Sequence, residues 1–268
     1  MRASRDKATK ASGSPQAIVK VRIRRQDGPD RLETRRWELF DVQRSDLATV
    51  ANLLDRINLH PCTAAGDAVE PIVWESGCTW PTCGSCTMVI NGQAALACAT
   101  TIDDAIGKRN TITLEPLSKF PLRRDLWVDR SPMARDRARL RGWVEPVELS
   151  ETPTESAIRR QERLALTGCT ACGCCLEACP EYRPGRAFAG AAAISHAVHA
   201  SLFSTAGHNA RLDALVGPSG IASCGRAQNC VAVCPHQVPL DNVLAQASGQ
   251  ATRHWLKQLL GRGRTTGR

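Results

Sequence analysis

No run of eighteen apolar residues occurs in the 268-residue chain, so no segment reads as a helix that crosses a bilayer. Aromatic residues are only 4%, with a single tyrosine, too few and too scattered for a base-stacking surface. No nucleophile–base pair, phosphate-binding glycine loop or carboxylate dyad stands out, which leaves hydrolytic and phosphoryl-transfer chemistry without its parts. The N-terminus (Met1-Arg-Ala-Ser-Arg-Asp-Lys7) lacks the apolar stretch of a secretory signal. Its arginines and serine fit a mitochondrial presequence, against which Asp6 and Pro15 argue. An odd number of cysteines, thirteen, argues against a secreted disulfide framework and for a reducing compartment.

The net charge of +9 sits at the ends. Residues 1–16 carry +3 and residues 251–268 carry +5, so the body is close to neutral at +1. Two basic tails on a near-neutral body suit anionic lipid headgroups, an acidic partner or plain solvation. Their location weakens a nucleic-acid reading.

What the chain has in abundance is cysteine at fixed spacings. The first group is Cys78-x4-Cys83-x2-Cys86 with Cys98 following. This is the plant-type pattern for a [2Fe–2S] cluster, with four-cysteine zinc as the alternative. Gly84 lets the backbone turn between ligands and aim amide N–H groups at sulfur. The second group is Cys169-x2-Cys172-x2-Cys175-x3-Cys179-Pro180, the bacterial ferredoxin run. The third is Cys224-x5-Cys230-x3-Cys234-Pro235.

The second and third groups repeat each other. Cys169 to Cys175 and Cys224 to Cys230 each enclose five residues, the next interval is three in both, and proline follows. This alignment selects Cys175 over Cys174 as the third ligand. The last cysteine of such a run crosses to the other cluster. The expected sets are therefore Cys169, Cys172, Cys175 and Cys234 for a [4Fe–4S] cluster, and Cys179, Cys224 and Cys230 for the other. Ala227 stands where Cys172 stands in the first copy, so the other site has three thiolates. That matches a [3Fe–4S] cluster, or a [4Fe–4S] cluster completed by water or a non-cysteine side chain.

The pattern of apolar residues predicts two domains. Residues 17–130 carry strands at Ala17–Arg25, Arg36–Val42, Thr87–Ile90, Ala94–Ala97 and Thr111–Leu114, and a helix at Leu47–Leu59. Asn91-Gly92 signals a tight hairpin. The expected fold is α+β: a β-grasp [2Fe–2S] domain, then an all-α domain over 131–268. The latter has helices at Met133–Trp143, Glu155–Leu166, Phe188–Phe203, Asn209–Val216 and Leu240–Leu260, and a loop at Glu145–Thr154. Residues 1–16 are expected to be a disordered basic tail. Cys62 and Cys174 are expected as small buried residues, His236 as exposed, and His196 with His199 as spectators at helical spacing rather than a metal pair.

The three cysteine patterns, in this order, resemble the iron–sulfur subunit of succinate dehydrogenase and fumarate reductase. So do Cys83-Gly-Ser-Cys-Thr-Met-Val-Ile-Asn-Gly92, Arg124-Asp-Leu-Trp-Val-Asp129, Cys172-Gly-Cys-Cys-Leu-Glu-Ala-Cys-Pro180 and Asn229-Cys-Val-Ala-Val-Cys-Pro235. The resemblance spans about Ala17 to Ser248. It implies a β-grasp ferredoxin domain followed by a helical one. It also implies electrons passing between FAD in a flavoprotein subunit and a quinone, through [2Fe–2S], [4Fe–4S] and [3Fe–4S] clusters. A cytochrome b subunit would anchor the complex at the cytoplasmic face of the cell membrane.

The chain departs from ubiquinone-linked members at Pro184, where they commonly have tryptophan, and at Gly225, where they commonly have histidine. This likens it to menaquinone-type members with a di-haem anchor. Thr79-Trp80-Pro81-Thr82 replaces an acidic pair beside the first group. The competing enzyme reading is the related subunit of a thiol-linked fumarate reductase or a heterodisulfide-reductase-like complex. The competing non-enzyme reading is a zinc protein that binds nucleic acid.

Overall fold

A computed structural model describes residues 18–45, 47–106, 110–146 and 156–262. The expected tail at 1–16 and most of the expected loop at Glu145–Thr154 lie outside the described residues.

Alternating side chains build the first layer. In β1 (Ile18–Arg25), Val19, Val21 and Ile23 point inward, and so does Arg25. β1 pairs antiparallel with β2 (Arg36–Gln43) and parallel with β5 (Thr111–Glu115). β3 (Thr87–Ile90) and β4 (Gln93–Leu96) complete a five-stranded mixed sheet in the order β2-β1-β5-β3-β4. Asn91 and Gly92 join β3 to β4 with φ of 50° and 84°, the two left-handed residues of a type I′ turn.

Helix α1 (Val50–Leu59) packs Val50, Leu53, Leu54 and Ile57 into the sheet core. It starts three residues later than the periodicity predicts. Thr49 and Asn52 form a reciprocal capping box there, leaving Leu47 packed against the core from outside the helix. Three short elements of this half are additions to the expected set: α2 (Ile102–Ile106) and the strands β6 (Leu122–Arg124) and β7 (Trp127–Val128), which pair as a hairpin.

That hairpin carries the Asp125 of the Arg124–Asp129 motif. Asp125 accepts hydrogen bonds from the backbone N–H groups of Gln26 (3.2 Å) and Val73 (3.0 Å). Its carboxylate also pairs with fully buried Arg25 at 2.9 Å, and Arg25 reaches Glu38 at 2.7 Å. A buried cation between two carboxylates costs desolvation that its hydrogen bonds must offset. It ties β1, β2 and the hairpin to one point.

The second half is helical: α3 (Ser131–Arg139), α4 (Ala157–Thr167), α5 (Cys174–Ala178), α6 (Gly190–Phe203), α7 (His208–Val216), α8 (Asn229–Ala232) and α9 (Leu240–Arg262). α6 is buried along most of its length. Its alanines at 191–193, 197 and 200 let α3, α4 and α9 approach closely. Ser156 caps α4 by accepting from the Arg159 N–H.

The two cores exchange residues. Leu117, Phe120 and Val128 belong to the helical core, while Cys172 and Cys174 reach into the sheet-domain core. Glu177 of α5 accepts from the Ser118 hydroxyl (2.6 Å) and from the Ser118 and Lys119 backbone N–H groups (3.0 and 3.1 Å). The fold is α+β, a β-grasp sheet domain followed by a helical ferredoxin domain.

Candidate metal centres

The first group sits on the loop between residue 77 and β3, with Cys98 arriving just after β4. Gly84, at φ +74°, makes the turn that only a residue without Cβ adopts freely. The Ser85 N–H then donates to the Cys83 sulfur at 3.5 Å, the Cys78 N–H does the same at 3.5 Å, and the Cys98 N–H donates to Cys86 Sγ at 3.5 Å. Cys86 and Cys98 lie with sulfurs 3.3 Å apart. Amide dipoles aimed at sulfur stabilise negative charge on a cluster and raise its potential. Gly77 matters too, because a Cβ there would meet Cys83 Sγ at 2.8 Å. Hydrogen bonds from Thr82 hold the Cys78 thiol down to about 6. Trp80, between Cys78 and Cys83, is 74% exposed.

The second and third groups interleave. One cavity is lined by Cys169, Cys172, Cys175 and Cys234, together with Pro235, His236 and Val238. Here the Val238 N–H donates to Cys234 Sγ at 3.4 Å. A separate cavity of about 300 Å³ is lined by Cys179, Cys224 and Cys230. Ala227 is on its wall, as are Leu244 and Ser248 of α9. Cys175 and Cys230 are the second residues of α5 and α8, Cys179 caps the C-terminus of α5, Cys234 lies two residues past the end of α8, and Pro180 and Pro235 follow.

Cys174 is buried, as the sequence suggested, but it is not idle. Its side chain hydrogen-bonds to Cys172, which holds the Cys172 thiol down to about 6 and pushes Cys174 up. Two expectations need correction. Cys62 is exposed, because the Thr63–Asp67 turn carries it out at the end of α1. His236 is half-buried, with its Nε2 3.1 Å from Thr170 Oγ1, because the Cys234-Pro235 turn folds it over the second cavity.

His199 packs edge-on against Phe203, ring centroids 4.9 Å apart, while His196 lines a cavity with Arg130 and Arg137. Among the described residues no three His, Cys, Asp or Glu side chains converge on a point small enough for one metal ion. Sulfurs spread around a cavity suit a multi-iron cluster, whose ligands bind separate irons, better than a single tetrahedral zinc. The donor set and the cradle around it fit iron–sulfur clusters.

Gly225 and Pro184 have different surroundings. At Gly225 a Cβ would meet Glu181 Oε1 at 2.9 Å, so the Glu181 side chain occupies that space. Pro184 lies on a different cavity, with Lys119, Arg139 and Tyr182, away from the third group.

The sheet and helical domains come together at Arg130, a residue that sequence reasoning missed. Its guanidinium donates to the carbonyls of Gly84 (2.9 Å), Ser85 (2.5 Å) and Thr87 (3.4 Å) and pairs with Glu75 at 3.4 Å. It grips the first cysteine loop from the start of α3. No local pattern marks such a residue, since its partners lie some forty residues upstream.

Residues 20–135 match the family described as a 2Fe-2S iron-sulfur cluster binding domain, and residues 165–238 match a 4Fe-4S dicluster domain. The chain is 33% identical to the succinate dehydrogenase iron-sulfur subunit of Bacillus subtilis, across 94% of this chain and 99% of that protein. It is also 33% identical to the fumarate reductase iron-sulfur subunit of Mycobacterium tuberculosis, across 68% of this chain and 75% of that one. A chain of the Mycobacterium smegmatis Sdh1 complex in the apo form has the same fold. Its TM-score is 0.72 at 22% identity, over 89% of this chain and 97% of that one. Identity of this order, sustained over nearly the whole of both sequences and joined to both cluster domains in order, is conclusive: the chain belongs to the family of succinate dehydrogenase and fumarate reductase iron–sulfur subunits.

Proposed function

We propose that this chain relays single electrons between the FAD of a flavoprotein subunit and a quinone held at a membrane-anchor cytochrome b subunit. The complex interconverts succinate and fumarate at the cytoplasmic face of the cell membrane. The ligand sets are Cys78, Cys83, Cys86 and Cys98 for [2Fe–2S]; Cys169, Cys172, Cys175 and Cys234 for [4Fe–4S]; and Cys179, Cys224 and Cys230 for [3Fe–4S]. Gly225 and Pro184 favour menaquinone as the quinone. The working parts are the β-grasp domain to about residue 130 and the helical domain beyond it.

The observation that carries this reading is continuity. The backbone of the first cysteine loop touches Cys172 of the second group, and the second and third cavities share the interleaved cysteine runs. Bound clusters supply one-electron chemistry, which a two-electron dicarboxylate reaction reaches only through a flavin. The protein's own residues orient and insulate. Amide N–H groups face sulfur, Arg130 fixes the first loop, and Leu117, Phe120 and Leu176 keep water from the space between domains. No helix among the described residues is long and apolar enough to cross a membrane, which suits a peripheral subunit held by an anchor.

The test is native purification of the assembled complex, followed by addition of succinate while cluster absorbance and EPR signals are recorded. Succinate-dependent reduction of cluster signals, blocked by a competitive dicarboxylate, is the expected result. Clusters that stay oxidised in the intact complex would overturn the reading.

A further inference from the structure

Helix α9 has two faces with different fates. Val243, Ala247 and Ala251 are buried in the helical core, and His254 and Gln258 continue that face by binding Asp213 of α7 at 2.7 and 2.6 Å. Turned away from that face, Trp255, Leu256, Leu259 and Leu260 are between 43% and 72% exposed. Four large apolar side chains at i, i+1, i+4 and i+5 form one stripe. Arg253 and Lys257 flank it, and the sequence adds Arg262, Arg264 and Arg268. After Asp241 the chain contains no acidic residue.

We propose that this stripe lies directly on an anionic lipid surface, so that α9 is itself a membrane contact, independent of any anchor subunit. An apolar stripe with a tryptophan, bordered by cations and free of acids, is the composition of an interfacial helix. Each lysine or arginine near an anionic leaflet adds to the attraction. A protein partner could also cover the stripe, but it would not by itself account for five cations and no acid over residues 251–268.

The direction of the stripe gives the contact a consequence. Asp241, Leu244, Ala245 and Ser248 line the cavity of the third cysteine group from the same helix. At 100° per residue they project within about 40° of the apolar stripe. Exposed Arg226, on the wall of that cavity, reaches Ser248 at 3.5 Å. Ser248 and Leu259 are about 16 Å apart along the axis. The cavity of the third cysteine group therefore opens on the same side of α9 as the stripe.

The proposal concerns surface chemistry and stands whether or not the electron-transfer reading does. The full chain, carrying its clusters, is sedimented with vesicles of equal parts phosphatidylglycerol and phosphatidylcholine, and with pure phosphatidylcholine vesicles. Binding at least about tenfold stronger to the anionic vesicles, and weakened by salt, is expected. Leu256→Glu with Leu259→Glu abolishes it while cluster absorbance is retained. Arg253→Gln with Lys257→Gln lowers it several-fold on anionic vesicles only. Equal binding to both vesicle types, no binding to either, or a stripe occupied by a second copy (dimer by light scattering, lost in the Leu256→Glu, Leu259→Glu variant) would each overturn the proposal.

Discussion

A Cβ at Gly84 would lie 2.8 Å from Cβ of Cys172 and 2.9 Å from its Cα, so two loops eighty-eight residues apart in sequence touch at backbone level. One loop carries the first cysteine group and the other carries the second. The contact needs glycine for two reasons, the missing side chain and the φ of +74°. Gly84→Ala meets backbone rather than a movable side-chain end, and the left-handed conformation alone costs it about 1–2 kcal/mol. The loops are expected to part. Magnetic coupling between the reduced first and second clusters falls, and thermal stability drops by about 2–4 kcal/mol in all. Unchanged EPR coupling in the variant would refute the role assigned to this contact.

Arg130 supplies the charge at the same junction. Three carbonyls of the first loop accept from its guanidinium, and it also draws the Cys172 thiol downward. Reduction adds a negative charge to each cluster, which a nearby cation favours. Arg130→Met is therefore expected to lower the first cluster's midpoint potential by some tens of millivolts, where 59 mV is a tenfold change for one electron. Arg130→Lys keeps the charge but loses the fork, so it restores most of the potential while the loop stays loosened. Redox titration followed by EPR separates the two outcomes. Equal potentials in all three proteins would remove Arg130 from this role.

These junction residues mark where the sequence stops being readable. Cysteine spacing is a local property, and so are the Asn91-Gly92 turn and the alternation in β1, so motifs, hairpin and most elements were legible. Arg25 was not, because its partner Asp125 lies a hundred residues away, and an arginine at an inward strand position looks like an error until that carboxylate appears. β6 and β7 are three and two residues long, too short for any periodicity to register. Cys62 and His236 were misjudged for one reason: composition gives a residue type's average burial, while a turn at its own position decides the instance.

Ala227 tests the pseudo-repeat. It lines the same cavity as Cys179, Cys224 and Cys230, at the position the repeat assigns to a fourth ligand. Ala227→Cys is expected to recruit a fourth iron, replacing the EPR signal of an oxidised three-iron cluster with that of a reduced four-iron one. The potential of that site falls as well, since the added thiolate brings negative charge. Persistence of the three-iron signal, with iron content unchanged, would show that the vacant corner lies elsewhere.

His196 sets a pH dependence that is separate from the clusters. Burial between α3 and α6 pushes its imidazole down to about 4, with Arg137 and His199 adding in the same direction. Asp136, the acid lining the same cavity, is engaged by Tyr182 and Arg139. The folded value lies below the unfolded one of 6.5, so above that pH the group has no effect on stability. As the pH falls from 6.5 toward 4, the unfolded chain takes up a proton that the folded chain refuses, and stability is lost. The full loss is about 3 kcal/mol, reached below pH 4, and about 2 kcal/mol of it has accrued by pH 5. His196→Gln cannot titrate, so the drop in denaturant-unfolding free energy between pH 7 and pH 5 is expected to be about 2 kcal/mol smaller than in the parent. Cluster loss in acid affects both proteins alike and cancels in the comparison. Identical drops in the two proteins would mean that His196 is protonated in the fold at pH 5, and that water or a carboxylate reaches it there.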